Sequence, residues 1–269
     1  MGAPATKRTS RPPELLGRFT DRTACLTQWG CATCVGVARH LRQPHQRDVL
    51  QESALASLER EGWAVAETDP GREFISYAAC LGAPVHSREN TPLVTTLRPK
   101  KPEFARPGTM SALYGTGAFP LHTDTAHWRR PARYVLLRCI ASEGARPTLL
   151  LELGRLPSRA LAALKESVWV VASAPPFLCS GYLRSRAVKG VRFDRCVMKP
   201  RNDAAIAALD FLDGTALCST IDIEWHPGLL LIVDNWRVLH GRAPARECAA
   251  SCTRTLQRVL VESDSEVEL

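Results

Sequence analysis

The sequence predicts a mainly β fold with flanking helices, of the β-sandwich or jelly-roll kind. Two observations carry this. From Leu93 onward, short apolar runs rich in β-branched residues recur, broken by Gly, Pro and Asp turns. Two helical stretches interrupt them, and no internal repeat is present.

Taken in order, residues 1–50 are Arg-, Pro- and Gln-containing and weakly patterned, an extension ahead of the domain. Glu52–Glu61 reads as a helix, with Leu55 and Leu58 among good helix formers. Trp63–Glu67 alternates like a short strand, and Arg72–Leu81 is helical, closed by Gly82 and Pro84. The strand candidates are then Leu93–Leu97, Thr109–Tyr114, Tyr134–Ile140, Thr148–Leu153, Val168–Ala172, Gly190–Met198, Leu217–Glu224, Leu229–Val233 and Thr253–Val261. Helices are expected at Ser158–Lys165, after Pro157, and at Asp203–Leu212, after Pro200. The domain proper is expected over residues 51–262, and 263–269 reads as an acidic tail.

Composition narrows the class. Of 269 residues, 45% are hydrophobic and 23% charged, enough apolar side chain to build a core. No run approaches the roughly 18 apolar residues of a membrane span, and the basic N-terminus has no apolar segment behind it. The net charge of +8 suits an anionic ligand, but no lysine run or Arg-aromatic alternation marks a nucleic-acid groove. Much of that charge is read as solvated surface, and no nucleic-acid or membrane partner is expected. The ten cysteines are read as mostly free thiols of a cytoplasmic protein. Cys25, Cys31 and Cys34 have metal-like spacing, but a second pair of that spacing is missing, so coincidence is preferred.

The chemistry gathers in three places. His122-Thr123-Asp124 sits at a strand edge, where residues two apart share a face, so His122 and Asp124 can reach one metal ion. His240 lies in Asp234-Asn235-Trp236-Arg237-Val238-Leu239-His240-Gly241-Arg242, just beyond an apolar strand. Two histidines and one carboxylate make the facial triad of non-haem Fe(II) oxygenases. The third place is Arg254-Thr255-Leu256-Gln257-Arg258, an even-spaced arginine pair able to grip a carboxylate, with Thr148 as a candidate hydroxyl partner. Tyr114 and Asn235 are candidate pocket residues; His127 could line the pocket but is read as an ordinary loop histidine, and Arg129, Arg130 and Arg133 either steer an anion or form a solvated cluster. Arg242 is read as solvated.

With these motifs in this order, residues 80–262 resemble the Fe(II)/2-oxoglutarate-dependent dioxygenases, in the taurine dioxygenase-like branch that includes γ-butyrobetaine hydroxylase. The resemblance implies a double-stranded β-helix, a cupin-like jelly roll with the triad at one open end. It implies that His122, Asp124 and His240 bind Fe(II). Arg254, assisted by Thr148, would hold the distal carboxylate of 2-oxoglutarate, and Arg258 would touch substrate or cosubstrate. Dioxygen is the oxidant, and oxidative decarboxylation of 2-oxoglutarate is coupled to hydroxylation, or a related C–H oxidation, of a small polar or anionic substrate such as an amino acid. The carboxylate at Asp124 separates the chain from halogenases, which lack one there. A Gly-Gly pair of the relatives is replaced by Glu143-Gly144-Ala145-Arg146-Pro147 before Thr148, so that turn must be built differently. The rival readings are a peptide- or protein-directed oxygenase and a metal- or ligand-binding jelly roll without turnover. Loops Thr91–Gly108 and Phe177–Gly190 are expected to set specificity.

Overall fold

The computed structural model describes residues 49–185, 189–214, 219–244, 254–263 and 267–268. The expected N-terminal extension with Cys25, Cys31 and Cys34, the thiols Cys218, Cys248 and Cys252, and most of the acidic tail lie outside the described residues. Helix α1 (Glu52–Glu61) leads into strand β1 (Trp63–Glu67). Helix α2 (Phe74–Ala79), strands β2 (Ala83–Val85) and β3 (Thr95–Leu97), and helix α3 (Met110–Tyr114) follow. Then come β4 (Phe119–His122), β5 (Tyr134–Ala141), β6 (Thr148–Glu152) and helix α4 (Ser158–Glu166). Strands β7 (Val168–Val171), β8 (Phe177–Ser180), β9 (Tyr182–Ser185), β10 (Lys189–Val191) and β11 (Met198–Pro200) precede helix α5 (Asp203–Asp213). The chain closes with β12 (Ile221–Ile223), β13 (Leu229–Asp234), β14 (Val238–Arg242), β15 (Thr255–Glu262) and β16 (Val267–Glu268).

Two sheets make the jelly roll. The larger runs β1-β13-β5-β15-β2, with β3 also paired to β15, and the smaller runs β12-β6-β14-β4. Every pairing is antiparallel. Residues along each strand alternate between two packing environments. On β13, Leu229, Leu231 and Val233 join the core between the sheets, while Leu230 and Ile232 pack under α1 and α2 with Leu58 and Phe74. Both faces of β13 are thus covered, which is why its sequence is apolar without alternation. On β6, Leu150 points between the sheets, whereas Leu149 and Leu151 join a second core under α4 and α5. Small sheets β10-β9-β16 and β11-β7-β8 flank this frame.

Several elements depart from the sequence expectation. Thr109–Tyr114 is helical, because the Thr109 hydroxyl caps the Ala112 N–H at 3.4 Å, and so short a run carries no decisive period. Gly190–Met198 is split in two by a turn in which Asp194 accepts from the Cys196 N–H at 2.8 Å. The second helix starts at Phe74 rather than Arg72, since Asp69 takes the Gly71 and Arg72 N–H groups into a turn. Phe177–Gly190, expected as a loop, carries β8, β9 and the start of β10 among its described residues.

Candidate functional site

β4 and β14 lie side by side, and their register sets His122 directly opposite His240. The rings stand 4.5 Å apart. Gly241 makes this approach possible: a Cβ there would sit 2.7 Å from the Phe119 carbonyl oxygen. Asp124 follows just past the end of β4. Its Oδ1 is 4.0 Å from His122 Nε2, and its Oδ2 is 3.8 Å from His240 Nε2. One ligand atom from each residue falls within 4.8 Å of the others, a set that converges on one metal ion.

The donor chemistry fits Fe(II), with two imidazoles and one carboxylate. His122 Nδ1 lies 3.0 Å from the Pro120 carbonyl, which makes it the donor there and leaves the Nε2 lone pair for metal. Burial, with His122 alongside, holds His240 down at about 3, so it is a neutral ligand. Burial pushes the Asp124 carboxyl up, but Arg258, His240 and His122 together outweigh it and hold it at about 2. Arg258 reaches both Asp124 oxygens, at 3.2 and 3.1 Å.

All six site residues read from the sequence (His122, Asp124, Thr148, His240, Arg254 and Arg258) line one cavity of about 420 Å³. The reason is that β4, β14 and β6 of the smaller sheet and β15 of the larger one bring these residues to one space. On β15, Arg258 sits between the inward Leu256 and Leu260, and Arg254 reaches the cavity from just before the strand. Thr148 opens β6 and is buried. Its hydroxyl accepts from the Trp225 indole N–H at 3.2 Å, which leaves its own proton for an anion. The turn before it is built on Gly144 in the left-handed region, φ 60°, closed by an Ala145 N–H bond to Ser142.

Other expectations are corrected. Asn235 does not line the cavity. Fully buried, it accepts from the Asp124 N–H and donates to the Asp124 and Ala132 carbonyls, each at 2.9 Å. It ties the turn that delivers His240 to the backbone of Asp124. Tyr114 packs on Phe119, with centroids 6.1 Å apart, and does not line the cavity either. Arg242 is buried rather than solvated; it stacks over Phe119 and donates to the Gly115 and Gly117 carbonyls. Arg133 steers nothing, being buried against Asp234 at 2.5 Å and over the Trp236 ring. His127 does line the cavity. Of the two expected specificity loops, Thr91–Gly108 contributes lining residues, and the described part of 177–190 contributes none. Trp225 and Thr123 were missed. Thr123 is fully buried, its N–H bonding Phe193 O at 2.7 Å and its hydroxyl Val191 O at 3.2 Å. The sequence held no signal for either contact, because both partners come from distant strands.

Comparison with known proteins agrees with this geometry. Residues 171–260 match the family model "Taurine catabolism dioxygenase TauD, TfdA family". No curated protein matches the sequence. Among solved structures, the chain is similar to an asparagine oxygenase in complex with Fe(II), 2S,3S-3-hydroxyasparagine and succinate. The two are 22% identical, with 81% of this chain and 79% of that chain covered, at a TM-score of 0.63. The non-heme iron oxygenase OrfP, in complex with Fe and alpha-ketoglutaric acid, is similar at 23% identity. There 83% of this chain and 81% of that chain are covered, at a TM-score of 0.60. No helix among the described residues is long and apolar enough to cross a membrane. The family match lies on the C-terminal stretch that carries His240, Arg254 and Arg258, and the solved oxygenases share the jelly-roll fold that frames the His-Asp-His cluster.

Proposed function

We infer that the chain hydroxylates a free amino acid or a similarly small anionic molecule, within a catalytic domain spanning residues 51–262 that follows an N-terminal extension. The observation that carries this is one cavity shared by the metal cluster and two even-spaced arginines. The similar asparagine oxygenase and OrfP structures, named with hydroxylated amino acids, support the substrate class. The free thiols of Cys80, Cys139, Cys179 and Cys196 suit a cytoplasmic enzyme.

In this reading His122, Asp124 and His240 would hold Fe(II), and the same cavity would take 2-oxoglutarate. When bound, the metal and cosubstrate supply oxidation of a C–H bond, coupled to decarboxylation of 2-oxoglutarate to succinate. The protein's part is position and charge. Arg254 grips the distal carboxylate of 2-oxoglutarate, and the Thr148 hydroxyl donates to it. Arg258 keeps Asp124 ionised and presents its fork to the substrate carboxylate; its Nε is buried with no partner among the described residues. Apolar Leu137 and Leu256 line the same space and limit water.

Succinate formed from 2-oxoglutarate under air, with Fe(II) and ascorbate, tests the reading in wild type and His122→Ala. Succinate from wild type alone supports it. Absence both of succinate and of the visible Fe(II)/2-oxoglutarate charge-transfer band would refute it.

A further inference from the structure

We propose that the substrate carries a second anionic group, gripped by Arg88 and Arg106 at the mouth of the cavity. This rests on the oxygenase reading above and deepens it. It names the substrate class as a small carboxylate bearing a further carboxylate or phosphate.

The argument is one of charge. Seven guanidinium or ammonium groups line the cavity, Arg242 among them, against the carboxylates of Asp124 and Asp194. Asp194 is engaged by the Cys196 N–H, and Asp124 by Arg258. Bound Fe(II) and the 2-oxoglutarate dianion cancel one another, so an excess of five positive charges lines the cavity. Arg254 and Arg258 have partners in the mechanism, and Arg242 donates to the Gly115 and Gly117 carbonyls. Arg88, Arg98, Lys100 and Arg106 do not, and their side chains make no hydrogen bond or ion pair with any described residue.

The placement is selective. All four belong to residues 86–106, whose two acids, Glu89 and Glu103, stay off the cavity wall. An ordinary solvated loop intersperses both signs. Here four of the five Arg and Lys residues, and neither acid, reach the cavity rim, where all four are exposed. Arg88 is pushed below the usual guanidinium range by burial and by Arg106 and Arg258, so these three cations share one space. Crowded like charges repel until an anion enters, and paired guanidinium forks match carboxylate or phosphate oxygens. The hydroxyls of Ser87, Thr91 and Thr109 line the same stretch and add donors suited to an oxyanion.

Calorimetric titration of the full chain, loaded anaerobically with Fe(II) and 2-oxoglutarate, tests this with two matched pairs. These are O-phospho-L-serine against L-serine, and L-aspartate against L-asparagine. The charged member of at least one pair should bind tenfold tighter or more in wild type, and the pair that shows it separates phosphate from carboxylate. That advantage should fall below threefold in both Arg88→Gln and Arg106→Gln and survive in Arg159→Gln, a change on the exposed face of α4. Equal affinities within both pairs, or a preference that persists in both mouth variants, would overturn the proposal. The visible band of the same wild-type samples reads the oxygenase assignment separately. A band without charge preference defeats only this inference, whereas a missing band defeats the oxygenase reading.

Discussion

Asn235→Ala should unseat the metal cluster without touching a metal ligand. The side chain is fully buried and makes three bonds of 2.9 Å, two to the backbone of Asp124 and one to Ala132. Truncation leaves the Asp124 N–H and the Ala132 carbonyl unpaired in the interior, while the Asp124 carbonyl keeps the Thr125 hydroxyl at 2.6 Å. Each such loss costs about 1–3 kcal/mol, and partial relaxation puts the total at about 2–4 kcal/mol. For a domain of this size that lowers Tm by roughly 10 °C. Losing the tie to Asp124 should also weaken metal binding about 10–100-fold, as for other groups that orient ligands from behind. Asn235→Asp keeps the acceptor for the Asp124 N–H but turns a carboxylate oxygen toward the two carbonyls, so it should not rescue. Thermal unfolding and Mn(II) titration of the three proteins provide the assay. An Asn235→Ala protein that melts within about 2 °C of wild type and binds metal equally well would refute the reasoning.

Three further outcomes follow from the same geometry. Gly241→Ala should force β4 off β14, because the new Cβ meets the Phe119 carbonyl at 2.7 Å; metal titration should show weakened binding, with about 1–3 kcal/mol of destabilisation by denaturant unfolding. Arg254→Gln should weaken 2-oxoglutarate binding about 10–100-fold, the worth of a charged hydrogen-bond pair, with a smaller loss in Thr148→Val, both read from the charge-transfer band. The metal-free protein should lose stability on acidification. His240 is held at about 3, below its ordinary 6.5, so the unfolded chain takes up that proton first and stability falls as pH drops below about 6.5. Asp124, held at about 2 against 3.8, adds a further loss at lower pH. A Tm that stays flat from pH 7 to 4 in the presence of chelator would contradict the first, and no further fall from pH 4 to 2 would contradict the second.

What local sequence determined is what depends on period and residue type. The apolar run at β13, the even spacing of Arg254 and Arg258, and the His-x-Asp pair each place side chains by the two-residue repeat of a strand, which needs no knowledge of the partner strand. Strand and helix types were legible where runs were long. They failed where a cap or Asx turn overrode a short run, as at Thr109 and Asp194.

The tertiary structure decided everything that depends on register between distant strands. It set His122 opposite His240, and it sent Asn235 to the backbone of Asp124, 111 residues away, rather than into the cavity. It buried Arg242 against the carbonyls of Gly115 and Gly117. It also placed four cations of residues 86–106 on the cavity wall and kept Glu89 and Glu103 off it, a choice that no local pattern encodes. Local sequence gives each strand its two faces. Only pairing across the sheet decides what each face meets.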